Sequence, residues 1–234
     1  MKVILTGATG FIGTEVVRQA LLHPSITTLV VLSRRALSPP ITHPKLQVII
    51  LADFAVYPPD VLTQLDGAEA CIWTLGIKTA SVPDQRLVSI TYSLALATAL
   101  TQLPTPPSHP IRFLFTGGAL SISDPNSSAL FMGPARKVKG EAEMEILAFA
   151  VRAENREKIE VVVTRPAMVH APGSVVGGLM SGLPAGLRGV GVKELAAVTL
   201  DIVLKWRDEG KVLDNAELAK RGVLLVKAGL EGEK

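Results

Sequence analysis

Apolar positions along this chain follow two periods that alternate from end to end. Met1 to Leu5 is a short apolar run, and Thr14 to Leu22 repeats its apolar residues at helical spacing. Ile26 to Leu32 and Leu46 to Leu51 are runs of strand length rich in β-branched residues, and Val61 to Leu65 predicts a short helix or turn. Glu69 to Leu75 predicts a fourth strand. Helical spacing returns over Gln85 to Leu103 through Leu87, Ile90, Leu94, Ala97 and Leu100; Pro83 suits the helix start, and Pro104, Pro106, Pro107 and Pro110 end it. Ile111 to Phe115 predicts a fifth strand and Ile159 to Thr164 a sixth. Between them, a helix from about Pro134 to Ala153 turns Ala142, Ile146 and Phe149 to the sheet and Glu141, Glu143 and Glu145 to water. Lys193 to Arg207 is helical through Leu195, Val198, Ile202 and Trp206, Asn215 to Arg221 is a short helix, and Gly222 to Val226 is extended. The polar tail Gly229 to Lys234 frays.

Strand and helix in this order predict an α/β fold: a doubly wound parallel sheet with helices on both faces, joined by right-handed crossovers. Ligands of such sheets bind at the carboxyl ends of the strands, where the chain direction reverses. The 234 residues make one domain, with 171–234 as a lid and a C-terminal helical part.

Charge and composition narrow the function. A net charge of +3 and a pI near 9.1 come from Lys and Arg residues spread along the chain, which does not indicate nucleic acid binding. The single cysteine, Cys71, has no intrachain partner and sits in the apolar run Ala70 to Trp73, which predicts a buried structural thiol. The first strand takes up the N-terminus, leaving no removable signal there, and no apolar stretch reaches the ~20 residues of a membrane span. The expectation is a soluble cytoplasmic protein with no metal-ligand cluster.

Candidate chemistry starts at Thr6-Gly7-Ala8-Thr9-Gly10-Phe11-Ile12-Gly13, set between the first strand and the first helix. Gly7 suits the turn, Gly10 admits a pyrophosphate close to the backbone, and Gly13 lets the helix pack on the sheet, so the helix amino end faces an anion. In dinucleotide-binding folds the position about 20 residues beyond the glycines holds an acid for a ribose 2′-hydroxyl, or an arginine for a 2′-phosphate. Here Ser33-Arg34-Arg35 occupies it, with two arginines and no acid, which predicts NADP(H) over NAD(H).

The spacing of Gly7, Gly10 and Gly13 resembles that of the extended and atypical short-chain dehydrogenase/reductases, in particular the small Tat-interacting-protein-like oxidoreductases. The resemblance implies a Rossmann-like fold and cofactor contacts from Gly7, Thr9, Gly10, Phe11, Ile12 and Gly13. It implies that Asp53 accepts the adenine amino group with Phe54 packed nearby, though Asp53 equally suits a cap for the following helix. Leu75-Gly76 matches a run beside the cofactor, and the helix after Pro83 contributes to a dimer contact in the family.

The catalytic residues depart from the family pattern. Its serine position falls on Gly118, with Thr116 two residues earlier as the nearby hydroxyl. In the family's Tyr-x-x-x-Lys motif the phenol passes a proton and the lysine lowers its pKa and binds the nicotinamide ribose. Lys139-Gly140-Glu141 matches the end of that motif, which puts Ala135 where the tyrosine belongs. Pro166 and Val169, on the Arg165-Pro166 turn, are the candidates for the nicotinamide carboxamide, and His170 is either a substitute acid or a loop histidine. In the resembling fold Ala171 to Gly191 covers the substrate. Its glycines and its Val175, Val176, Leu179, Met180, Leu183 and Leu187 suit a lid over a small apolar carbonyl or hydroxyl compound, or an oligomer contact. The residues support two readings: an NADP(H)-dependent oxidoreductase or redox-neutral isomerase or lyase, and a cofactor-binding regulatory or scaffold protein without turnover.

Overall fold

A computed structural model describes residues 1–77, 79, 81–104, 108–122, 133–175 and 189–232. Its main sheet contains β1 (Lys2–Thr6), β2 (Thr28–Ser33), β3 (Leu46–Ile50), β4 (Ala70–Trp73), β5 (Ile111–Thr116), β6 (Ile159–Thr164) and a short edge strand, Val212–Leu213. The strand order is β3-β2-β1-β4-β5-β6 followed by that edge strand, and every pairing is parallel. The chain direction across the sheet reverses between β1 and β4, which creates a crevice at their carboxyl ends. Two further strands, β7 (Val169–His170) and β8 (Val190–Gly191), pair beside the main sheet, so the edge strand is β9.

Side-chain alternation along the strands builds a core on each face. Val3, Leu5, Val31, Ile72, Leu114 and Val162 pack under α1 (Phe11–Leu22) and α6 (Val192–Lys205), with α7 (Asn215–Gly232) laid on α6. Ile4, Val30, Leu32, Cys71, Trp73, Phe113 and Val161 face α2 (Pro59–Leu65), α4 (Tyr92–Leu100) and α5 (Gly133–Ala150). With both faces covered, the central strands are mostly apolar, and their aliphatic and aromatic side chains contribute about 1.5–3 kcal/mol each when fully buried. Cys71 lies in that core as expected, and burial pushes its thiol well above the ordinary cysteine range.

Three expectations are corrected. The helix begins with Pro83 in its first turn, as expected, but it is not continuous: α3 (Val82–Arg86), with Ser81 Oγ accepting from Asp84 N at 3.3 Å, passes through a π turn at Leu87–Thr91 before α4. Gly222 to Val226 is not extended but continues α7, which runs on to Gly232. Gly222 is a packing glycine: an added Cβ would sit 2.6 Å from the Glu194 carbonyl oxygen, where α7 crosses α6. Glu143 does not face water; it is 1% exposed.

The C-terminal helix is tied down by charge. Asp208, nearly buried, receives both Nη atoms of Arg221, with Lys211 Nζ at 3.2 Å. The Arg221 guanidinium holds the Asp208 carboxyl below its ordinary value of 3.8. Among the described residues no helix is long and apolar enough to cross a membrane.

Candidate functional site

The glycine turn between β1 and α1 is shaped by contacts that a side chain would break. Gly7 has φ +76°, a left-handed conformation, and a Cβ there would lie 2.6 Å from the Thr74 carbonyl oxygen. A Cβ on Gly13 would come within 2.8 Å of Ala8 Cα and closer still to Gly7, so α1 rests directly on the turn. Gly10 N donates to Gly7 O at 2.9 Å, and Thr14 Oγ1 donates to Ala8 O at 3.1 Å and Gly10 O at 2.8 Å. Gly10 is the N-cap of α1, with no side-chain capping bond and no acid in the first turn. The positive end of the helix thus receives no capping side chain and no first-turn carboxylate among the described residues.

Beside this turn lies a cavity of about 300 Å³ lined by Gly7, Thr9, Leu32, Ser33, Arg34, Arg35, Phe54 and Leu75. Arg34 and Arg35 are both exposed at the end of β2. Ser33 Oγ donates to Arg35 O at 2.6 Å, which fixes the turn that carries the two arginines. Phe54 is buried against Trp73 and Tyr92, with ring centroids 6.4 and 5.9 Å away. Asp53 is exposed; its Oδ1 accepts from Ala55 N at 2.9 Å, whereas α2 begins after Pro58, so Asp53 caps its own turn and not that helix. Partial burial, together with the neighbouring Asp53 carboxylate, raises the Tyr92 phenol above its ordinary pKa.

The remaining candidates occupy several places. Phe11 is exposed, while Ile12 is half-buried and packs against the core. Gly76 is exposed, and among the described residues no atom stands within 4 Å of where its Cβ would be. Thr116 is half-buried at the end of β5, in register with Thr164. Lys139 is exposed on α5, and its Nζ would lie 3.5 Å from a Cβ on Gly118, so it reaches across the turn after β5. Ala135 is on the same helix, one turn before Lys139.

Pro166 is buried, and its carbonyl accepts from Ala119 N at 2.9 Å, joining the turns after β5 and β6. Val169 packs against the core on the α6 side and pairs with Val190. His170 is set by the small sheet: its Nδ1 is 3.2 Å from Ala171 O, and its ring would lie 2.8 Å from a Cβ on Gly189. Of the expected lid, residues 176–188, with Val176, Leu179, Met180, Leu183 and Leu187, lie outside the described residues, as do Pro106 and Pro107.

Sequence reasoning missed one cluster. Glu143 Oε1 accepts from Ser121 Oγ at 2.6 Å and from Gly118 N at 3.4 Å, while Oε2 accepts from Arg165 Nε at 2.7 Å. Arg165 Nη2 is 2.6 Å from the same Oε2. Gly117 makes room for this carboxylate; a Cβ there would stand 2.8 Å from Glu143 Cδ. The available signal was that Glu143 lies one turn after Lys139 and three residues before buried Ile146, at the margin of the apolar stripe.

The strand order and glycine turn are those of a Rossmann-like fold. No family model matches the chain. The oxidoreductase ylbE from Lactococcus lactis resembles it over 97% of both chains, with a TM-score of 0.67 and 13% identity. Gre2 from Candida albicans, solved with NADPH, covers 92% of this chain and 78% of its own, with a TM-score of 0.67 and 16% identity. MoeE5, solved with UDP-glucose and NAD, covers 91% and 75%, with a TM-score of 0.65 and 20% identity. In sequence, the chain is 35% identical over 85 residues to leucinostatins biosynthesis cluster protein T of Purpureocillium lilacinum. That match spans 36% of this chain and 31% of the relative.

Proposed function

We propose that the protein binds NADP(H) and acts as an oxidoreductase of the short-chain dehydrogenase/reductase type on a small, rather apolar carbonyl or hydroxyl compound. The observation that carries the cofactor assignment is the cavity that joins Gly7 and Thr9 to Arg34 and Arg35. Its glycine wall excludes side chains, as a backbone cradle for a diphosphate must, and its far end presents two arginines and no carboxylate among the lining residues. Gly10, Phe11, Ile12 and Gly13 would direct backbone N–H groups at the diphosphate. Arg34 and Arg35 would take the 2′-phosphate through their forked donors, and Ser33 would hold their turn. Phe54 and Leu75 would pack at the adenine end, with Asp53 and Gly76 at its margin.

When bound, the nicotinamide supplies or accepts a hydride. Lys139 would hold the ribose hydroxyls, Thr116 would hydrogen-bond the reacting oxygen, and Pro166 and Val169 would border the carboxamide. The likeness to Gre2, solved with NADPH, supports this reading at the level of the fold. The test is a fluorescence titration with NADPH and NADH, followed by a panel of carbonyl compounds. NADPH binding at least tenfold tighter than NADH is expected; equal affinities would remove the cofactor assignment.

Ala135 favours a second reading, a cofactor-binding regulatory or scaffold protein without turnover. Its methyl group, one turn before Lys139, has no proton to give. His170, pinned over Gly189, is the remaining candidate acid from the sequence. NADPH binding without oxidation by any carbonyl compound, unchanged in His170→Ala, would favour this reading over the enzyme.

A further inference from the structure

The Glu143 carboxylate joins three segments at one end of the sheet. It is carried by α5, it receives Arg165 from the end of β6, and it accepts bonds from Gly118 and Ser121 on the turn after β5. Each oxygen has two donors: Arg165 Nε and Nη2 on Oε2, and Ser121 Oγ and Gly118 N on Oε1. A carboxylate buried to 1% exposure is expensive to desolvate unless its acceptor sites are filled, and these four donors fill them.

The turn it holds lies on the other side of the crevice from Arg34 and Arg35. A dinucleotide with its diphosphate over α1 and its adenosine half at the end of β2 must extend its other half over β4, β5 and β6. Gly118 and Lys139 stand there, with the Lys139 side chain reaching over Gly118. Lys139 precedes Glu143 by one turn of α5, so the Glu143 bonds to Gly118 and Ser121, together with those of Arg136 to Leu120 O and Ile122 N, set the distance between the turn and the helix that carries the lysine.

We infer that Glu143 is a positioning residue for the nicotinamide half of the cofactor, acting through Gly118, Ser121 and Lys139; this rests on the NADP(H) reading above. Ser121 and Arg165 are its partners in that role. Loss of Glu143 leaves Arg165 without this buried counter-charge and releases Gly118 and Ser121, with the turn held only by its other bonds such as Ala119 N to Pro166 O, while the contacts of the adenosine half stay in place.

The experiment compares NADPH with adenosine 2′,5′-bisphosphate, which carries only the adenosine half. In Glu143→Ala, NADPH is expected to bind about tenfold more weakly, and the bisphosphate to stay within about twofold of the wild type. Glu143→Gln, which keeps an acceptor for Ser121, is expected to recover part of the NADPH affinity. An unchanged ratio between the two ligands in folded Glu143→Ala protein overturns the inference.

If Glu143→Ala fails to fold, Ser121→Ala, which removes one bond to Oε1, must shift the same ratio; no shift overturns the inference. A second measurement needs no cofactor. Amide hydrogen exchange over Gly118 to Ile122 is expected to rise in Ser121→Ala while the strands keep wild-type protection, and unchanged exchange overturns the anchoring role. If the wild type binds neither ligand, the cofactor reading fails and takes the nicotinamide role with it, while the exchange result separately decides whether Glu143 holds the turn.

Discussion

Gly222 rests on Glu194: a Cβ at position 222 would lie 2.6 Å from the Glu194 carbonyl oxygen and 2.7 Å from its Cβ. The two helices α6 and α7 meet at this bare Cα. Gly222→Ala is therefore expected to destabilise the protein by about 1–3 kcal/mol, although alanine is the better helix former by about 1 kcal/mol. Urea denaturation measures it, and a gain in stability would show that the crossing can open without cost.

Gly13→Ala tests the nucleotide turn. The added methyl would strike Gly7 and Ala8 backbone atoms, which no rotamer change relieves. Weakening of NADPH binding by tenfold or more is expected, alongside a stability loss of about 1–3 kcal/mol. Retained affinity in a fluorescence titration would separate the turn from the ligand.

Arg34→Ala with Arg35→Ala tests which nucleotide is preferred. A charge-assisted bond contributes about 1.5–3 kcal/mol, so NADPH affinity should fall roughly tenfold to a hundredfold while NADH affinity stays nearly constant. Equal losses for both nucleotides would remove the 2′-phosphate role.

Asp208 and Arg221 set a pH dependence of stability. The hydrogen bonds from Arg221 depress the folded Asp208 carboxyl below 3.8. The contribution is thus full above the unfolded value, at about pH 5 and higher, and is lost as pH falls through the folded value. Asp208→Asn should cost about 2–3 kcal/mol at neutral pH and progressively less as pH falls below the ordinary carboxylate value, and thermal melts over an acid pH series would show it. A pH-independent loss would assign the effect to packing.

The six main strands were legible along the chain because a sheet covered on both faces needs apolar runs, and β1 and β6 carry them plainly. Strands of two residues, such as Val169–His170 and Val212–Leu213, leave no period to read. Gly222 was misread because glycine marks a break and a close approach with the same letter. Glu143 was misread because a lone acid on a helix ordinarily faces water, and its partners Ser121 and Arg165 lie 22 residues away in either direction. The glycine turn and Arg34-Arg35 were readable because their positions follow from local order alone.

Cys71 offers a clock for opening of the whole fold. As the sole thiol of the chain, sealed in β4, it should resist maleimide reagents in the native state and react only when the sheet separates. A cysteine introduced at exposed Leu120 would take up a label at once, giving a dye on the turn after β5 with the native thiol silent.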